Sequence, residues 1–307
     1  MIKTETLEIQ TNHHKQVIHE SLTYYHVPTS LNTEAQARSA KPALLFLHGI
    51  LGDGRTWHPY LTAFSQYDCY ALTQSGFGKD SDRETLFDTD RHAAELIAFC
   101  QALNVKERQP HRQFTIIAWS YACHVVLLAM EKQRKIHHSG QASLFNSAIL
   151  YELIVPSYGM SEADQSLFTR DITKMMSPII KAYRRGNIEK AVDHFIAACK
   201  NEDSGTYGIA DQSESIQTIK HDNAHTLQKL LTQVEPKAID AETLKAIHQE
   251  MPLTILCGKN SRAIFKLSSK AGAEAIDQND WIVPEADHLL PENDSSALIQ
   301  IIKNYLK

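Results

Sequence analysis

The segment Phe114-Thr115-Ile116-Ile117-Ala118-Trp119-Ser120-Tyr121-Ala122-Cys123-His124-Val125-Val126-Leu127-Leu128 constrains this chain more than any other. A β-branched apolar run reaches a serine with an alanine two residues to either side. It then continues as an apolar segment too long for a strand. A strand that turns sharply into a helix forces its central residue into strained backbone and leaves no room for large side chains two positions away. The pattern predicts a strand over 114–117, a helix from 121, and Ser120 at the apex. There its oxygen would project away from the sheet, beside the Tyr121 N–H and the new helix's N-terminus, which is how a nucleophile is presented. The plainer reading is a serine that caps a helix. The pentapeptide alone does not separate the two, because small-x-Ser-x-small is a common pattern and glycine usually fills its outer positions.

The remaining apolar segments supply a frame. Leu7 and Ile9, then Leu22, Tyr24 and His26, alternate with other residues and predict an opening pair of strands. Ala43–Leu47 is continuously apolar, as a strand buried on both faces would be. Cys69–Leu72, Ala148–Tyr151, Leu253–Cys257 and Trp281–Val283 read as further strands. Leu96, Ile97, Cys100 and Leu103 fall at helical spacing, as do Leu298, Ile301, Ile302 and Tyr305. Alternating strands and helices imply an α/β fold with a largely parallel sheet covered on both faces. Residues 157–247 break the rhythm. Ile188, Val192, Phe195, Ile196 and Cys199 make one helical stripe, and Leu227, Leu230, Leu231 and Val234 another. The polar, glycine-containing stretch from Asn201 to Gln217 between them predicts a loop. The expected organisation is a core over 1–156 and 248–307, with 157–247 as a mostly helical cap over the ligand-binding end of the sheet.

Composition narrows the partners. With 43% hydrophobic and 22% charged residues among 307, the chain is ordinary for a globular protein. A formal charge of -5 gives no electrostatic reason to expect nucleic acid. No run approaches the roughly 18 apolar residues that span a bilayer, so no membrane role is expected. The N-terminal Met1-Ile2-Lys3-Thr4-Glu5-Thr6 lacks the apolar stretch of a secretory signal, and a cytoplasmic location is expected. Cys69, Cys100, Cys123, Cys199 and Cys257 all lie in apolar segments without metal-ligand spacing, as buried free thiols would. His13-His14 and His137-His138 have no carboxylates at ligand spacing and read as solvated surface. Neither a metal nor a cofactor is expected, and the oligomeric state, a homo-oligomer included, stays open.

After the strand at 43–47 comes His48-Gly49-Ile50-Leu51-Gly52-Asp53-Gly54-Arg55-Thr56-Trp57, whose glycines allow tight turns and exposed N–H groups. Ser75-Gly76-Phe77-Gly78 follows the next strand. It lacks the third glycine and helix start of a phosphate-binding fingerprint, so it reads as a tight turn. These loops and the serine elbow, in this order and spacing, resemble the α/β-hydrolase superfamily, especially its esterase and haloperoxidase-like branch with a helical cap. The resemblance runs from about Pro42 to the C-terminus, leaving out the cap. It implies that Ile50, after His-Gly, donates a backbone N–H to an oxyanion hole, with Tyr121 as the second donor. His48 is then expected to shape the loop, not to move protons, and Trp57, Trp119 and His124 to pack.

The base should be a histidine in the loop after the last strand, and Val283-Pro284-Glu285-Ala286-Asp287-His288-Leu289-Leu290-Pro291 resembles that loop. His288 would take the proton from Ser120 and return it to the leaving group. The acid departs from the family pattern, which places an aspartate three residues after Gly258. Here that position is Ser261, which cannot hold a negative charge. Asp287 is too close to its neighbour to orient it without strain and reads as a loop-stabilising carboxylate. Glu152 ends the strand after the serine strand, at the sheet's functional edge. A glutamate ending an apolar strand needs a partner, since burying a lone carboxylate is costly, and His288 Nδ1–H would provide one. Some haloalkane dehalogenases of this superfamily carry their acid there; an incomplete triad is the alternative. Dehalogenases and epoxide hydrolases of this fold place aspartate at the elbow, so Ser120 implies acyl transfer. The expected activity is that of a serine hydrolase cleaving a small-molecule substrate, a small or medium carboxylic ester, through an acyl-enzyme on Ser120, with amides or thioesters as further candidates. Alternatives are a lyase, perhydrolase or acyltransferase of the same fold, or a non-catalytic small-molecule receptor.

Overall fold

The computed structural model describes residues 1–13, 16–28, 42–79, 81, 87–137, 142–155, 158–202, 206–233 and 237–306. His14, His138, Val234 and the expected core-to-cap boundary at 156–157 lie outside the described residues.

Every strand expected from the sequence is present: β1 (Lys3–His13), β2 (Gln16–Val27), β3 (Ala43–Leu47), β4 (Cys69–Leu72), β5 (Phe114–Trp119), β6 (Phe145–Tyr151), β7 (Leu253–Gly258) and β8 (Ile282–Val283). They form one sheet in the spatial order β1-β2-β4-β3-β5-β6-β7-β8. The β1–β2 and β2–β4 pairs are antiparallel, and all the others are parallel. Every residue of β3, β4 and β5 is buried. A strand covered on both faces has no solvent side to alternate with, so these read as continuous apolar runs.

Helices fill the connections. Three early ones are α1 (His58–Ala63), α2 (Thr89–Lys106) and α3 (Tyr121–His137). Between β6 and β7 run α4 (Glu162–Arg184), α5 (Ile188–Cys199), α6 (Glu214–Asp222), α7 (Thr226–Thr232) and α8 (Ala241–Glu250). The chain closes with α9 (Ala263–Ala275), α10 (Leu290–Asn293) and α11 (Ser295–Tyr305). The loop expected from Asn201 to Gln217 ends early: a short 3-10 turn occupies Ile209–Asp211 and α6 begins at Glu214. Polar surface residues hid this helix, whose buried face is only Ile216, Ile219 and Lys220. The expected boundary at 247 cuts α8, which packs on α3 and α9 and so belongs with the core layer. Among the described residues, no helix is long and apolar enough to cross a membrane.

The helical excursion is fastened to the core by buried polar contacts. Asp171 of α4 pairs with Arg262 at 3.0 Å and accepts from the Ile264 N–H at 3.2 Å. Lys220 of α6 pairs with Glu292 of α10 at 2.5 Å, with both side chains almost wholly out of solvent. Asn223, fully buried, donates to Asp53 at 2.7 Å and accepts from the Gly78 N–H at 2.6 Å. The Leu51 N–H donates to Thr226 at 3.2 Å. Such contacts are costly to break singly, because the abandoned partner stays buried.

At the end of β7 the packing tolerates no side chain. A Cβ on Gly258 would lie 2.4 Å from the Ala286 carbonyl oxygen and 2.6 Å from Ser261 Oγ. Gly258→Ala must therefore push the loop carrying His288 away from β7, and we expect it to cost about 1–3 kcal/mol, the range for overpacking. The check is the shift in urea midpoint between variant and wild type; an unchanged midpoint would contradict this packing.

Candidate active site

The carboxyl ends of the parallel strands lie level with one another. Leu47 is paired with Ala118, Trp119 with Tyr151, and Tyr151 with Leu256. The next residues, His48-Gly49-Ile50, Ser120, Glu152 and the Gly258 turn, therefore emerge along one edge of the sheet. Ser120 has φ +59° between β5 and the first residue of α3, as a strained elbow requires. Its N–H donates to the Tyr151 carbonyl at 3.0 Å and its carbonyl accepts from the Cys123 N–H at 2.9 Å. Ala118 and Ala122 are both fully buried at the positions where larger side chains would not fit. Gly49 passes so close that a Cβ there would lie 3.0 Å from Ser120 Cβ. Tyr121 opens α3, so its N–H is one of the donors that helix geometry leaves without an intrahelical acceptor.

Glu152 and His288 meet although 136 residues separate them. His288 Nδ1 lies 2.6 Å from Glu152 Oε2. An ionised carboxylate can only accept, so Nδ1 is the donor of this bond, and the tautomer that makes it carries its lone pair on Nε2. The other carboxylate oxygen, Oε1, accepts from the Gly258 N–H at 2.9 Å and from the Ser261 hydroxyl. Cys257 Sγ stands 3.6 Å from the same oxygen. Glu152 is wholly buried and, like Ser120, takes a left-handed backbone, with φ +63°. Ring packing fixes the imidazole: Phe265 stacks on it at 3.8 Å between centroids and 11° between planes, and Trp119 lies 5.5 Å away. Ser120, His288 and Ile50 all border one cavity of about 590 Å³ beneath α4.

Residues 44–300 match the model of the alpha/beta hydrolase family. The chain belongs to the alpha/beta hydrolase family. Among solved structures, it is similar to a thermophilic esterase from Thermogutta terrifontis, with 17% identity, 98% of each chain covered and a TM-score of 0.63. It is also similar to MenH from S. aureus, at 18% identity over 92% of this chain and 97% of that one, TM-score 0.65. A third is the carboxylesterase CesB from Bacillus subtilis, at 15% identity over 99% and 92% of the two chains, TM-score 0.64. At such identities the likeness is one of fold. A search of curated proteins by sequence finds no match.

Within this alpha/beta hydrolase the other singled-out residues have structural partners. His48 is fully buried; its Nε2 accepts from the Gln74 N–H at 3.2 Å and its Nδ1 lies 2.9 Å from the Gly49 carbonyl, tying the two loops together. His124 sits between the Tyr158 hydroxyl and the Lys237 carbonyl, each at 2.8 Å. Trp57 packs between Phe46 and Tyr60. Asp287 accepts from the Leu289 N–H at 2.8 Å and pairs with Lys200 at 3.3 Å, so it braces its own loop. All five cysteines are buried free thiols. Sequence reasoning missed three contributors: Ser261 as a donor to Glu152, Phe265 as a platform for His288, and the Lys220–Glu292 pair beside the histidine loop. Only Ser261 had a visible signal, the position three after Gly258 where the family pattern wants an acid.

Burial pushes His48 and His124 down to about 4, so both rings are neutral in the fold. An unfolded histidine titrates near 6.5, so the unfolded chain gains protons first as pH falls. Their contribution is complete above about pH 6.5 and declines toward about pH 4, by up to about 1.4 kcal/mol per pH unit for each ring. Urea midpoints measured between pH 7.5 and 5 should fall, and fall less steeply in His124→Gln. Parallel slopes in variant and wild type would contradict a buried neutral ring.

Proposed function

We propose that this alpha/beta hydrolase is a serine hydrolase of carboxylic esters, acting through an acyl-enzyme on Ser120. The observation that supports it most is that the strained Ser120 and the Glu152-bound His288 share one cavity. In the proposed reaction Ser120 Oγ attacks the ester carbonyl carbon while His288 Nε2 takes the hydroxyl proton. The oxyanion is held by the N–H groups of Ile50 and Tyr121, each donor of this kind contributing on the order of 3 kcal/mol. His288 then gives its proton to the departing alcohol. Water enters, loses a proton to His288 and attacks the acyl carbon, releasing the acid and restoring Ser120. Glu152 holds the imidazole with Nδ1 protonated and stabilises the imidazolium formed in each half-reaction. The helices α4 to α7 act as the cap that walls the substrate cavity and limits water around the ester.

A fluorophosphonate probe should label wild type and leave Ser120→Ala unlabelled; absent or equal labelling removes the proposal. Glu152→Gln keeps the shape but offers an amide where the carboxylate was, and kcat should fall about 10⁴-fold, the scale for a triad acid turned to amide. Near-wild-type turnover by a folded Glu152→Gln protein would show that the acid lies elsewhere.

A further inference from the structure

We propose that the substrate is an uncharged ester with one apolar limb, and that esters whose limb ends in a carboxylate are excluded. This rests on the ester-hydrolase proposal above and concerns what the cavity beside Ser120 accepts. Its volume of about 590 Å³ lies mid-range for small-molecule sites. At roughly 30 Å³ for each water-sized group, it can hold at most about twenty non-hydrogen atoms. One wall is a single face of α4, with Phe168, Ile172, Met175 and Met176 at helical spacing, joined by Phe195 of α5. Ile264 and Phe265 face it from the core side. Such a surface stabilises hydrocarbon in proportion to the area removed from water. The two unbranched methionine side chains let it adapt to different chain shapes.

Charge decides the second half. Among the described lining residues none is Arg, Lys, Asp or Glu. Apart from Ser120 and His288, the polar lining groups are the neutral Gln165, Thr169 and Gln233. Two buried cations, Arg262 and Lys220, have carboxylate partners in Asp171 and Glu292. A carboxylate brought into this cavity would give up water and find no counter-ion among the described lining residues, which is strongly unfavourable. An anionic group on the limb that enters the cavity therefore does not fit, whether that limb is the acyl or the alcohol side.

The test is kcat/KM on wild type for two series, p-nitrophenyl acyl esters from acetate to octanoate and alkyl acetates from ethyl to octyl. In the arm whose limb enters the cavity, each added methylene should raise kcat/KM about fourfold until the space is filled, from ~0.8 kcal/mol per buried CH₂. The arm that rises assigns the apolar limb to the acyl or the alcohol side. Mono-p-nitrophenyl suberate, which adds a terminal carboxylate to the octanoate chain, should be at least about 100-fold poorer than octanoate. Where the alcohol arm is the one that rises, the pair compared is 8-acetoxyoctanoate with octyl acetate. Flat or falling profiles in both arms, or a carboxylated ester of the rising arm within tenfold of its uncharged counterpart, overturn the assignment. If no ester turns over, the hydrolase proposal fails by itself and the cavity is read by calorimetry with octanamide and suberic acid monoamide. Tighter binding of octanamide upholds the assignment, and equal or reversed preference overturns it.

Discussion

The contact between Glu152 and His288 is the constraint around which this molecule is arranged. It joins the end of β6 to the loop after β8, across the whole helical excursion between β6 and β7. A carboxylate with no exposed surface is tolerable only when each oxygen has donors. One oxygen has the imidazole; the other has the Gly258 N–H and the Ser261 hydroxyl. Those donors in turn fix the β7 turn, and the absence of a side chain at Gly258 lets the Ala286 carbonyl close against it. Backbone strain at Glu152 and Ser120 is held in place by this surrounding network.

The same logic links the helices between β6 and β7 to the loops around Ser120. Asn223 touches the Asp53 turn and the Gly78 turn, and Thr226 receives the Leu51 N–H. The loop containing Ile50 is therefore braced from above by α6 and α7 as well as from below by β3. On the other side, Lys220 reaches Glu292 four residues beyond His288, while its ammonium lies 5.5 Å over the Trp119 ring. These helices and the loops at the sheet edge share buried polar partners, so the position of one depends on the other.

Much of the fold was legible in the sequence because buried parallel strands leave continuous apolar runs, while the two antiparallel strands at the sheet's edge, β1 and β2, showed instead as alternation. The elbow was legible for a local reason: Ala118, Ser120 and Ala122 carry their steric requirement within five residues. Ile50, Tyr121 and His288 could be named from position along the chain and family resemblance. That Ile50, Ser120 and His288 border one cavity depends on distances between remote segments, which only the coordinates supply. α6 escaped notice because a short helix with three buried positions hardly differs from a polar loop. Phe265 looked like any core residue on a helix; its stacking on His288 depends on how the β7–α9 turn is folded.

Ser261 carries a wider implication. Its hydroxyl and the Glu152 carboxylate occupy the same small region beneath His288, though they arrive from different strands. Two branches of the backbone thus come within reach of the point where the imidazole Nδ1 meets its carboxylate. The longer glutamate side chain spans the gap from β6, while position 261 keeps a hydroxyl that steadies it. Exchanging two side chains, at 152 and 261, would therefore move the anion from one strand to its neighbour while the histidine stays where it is.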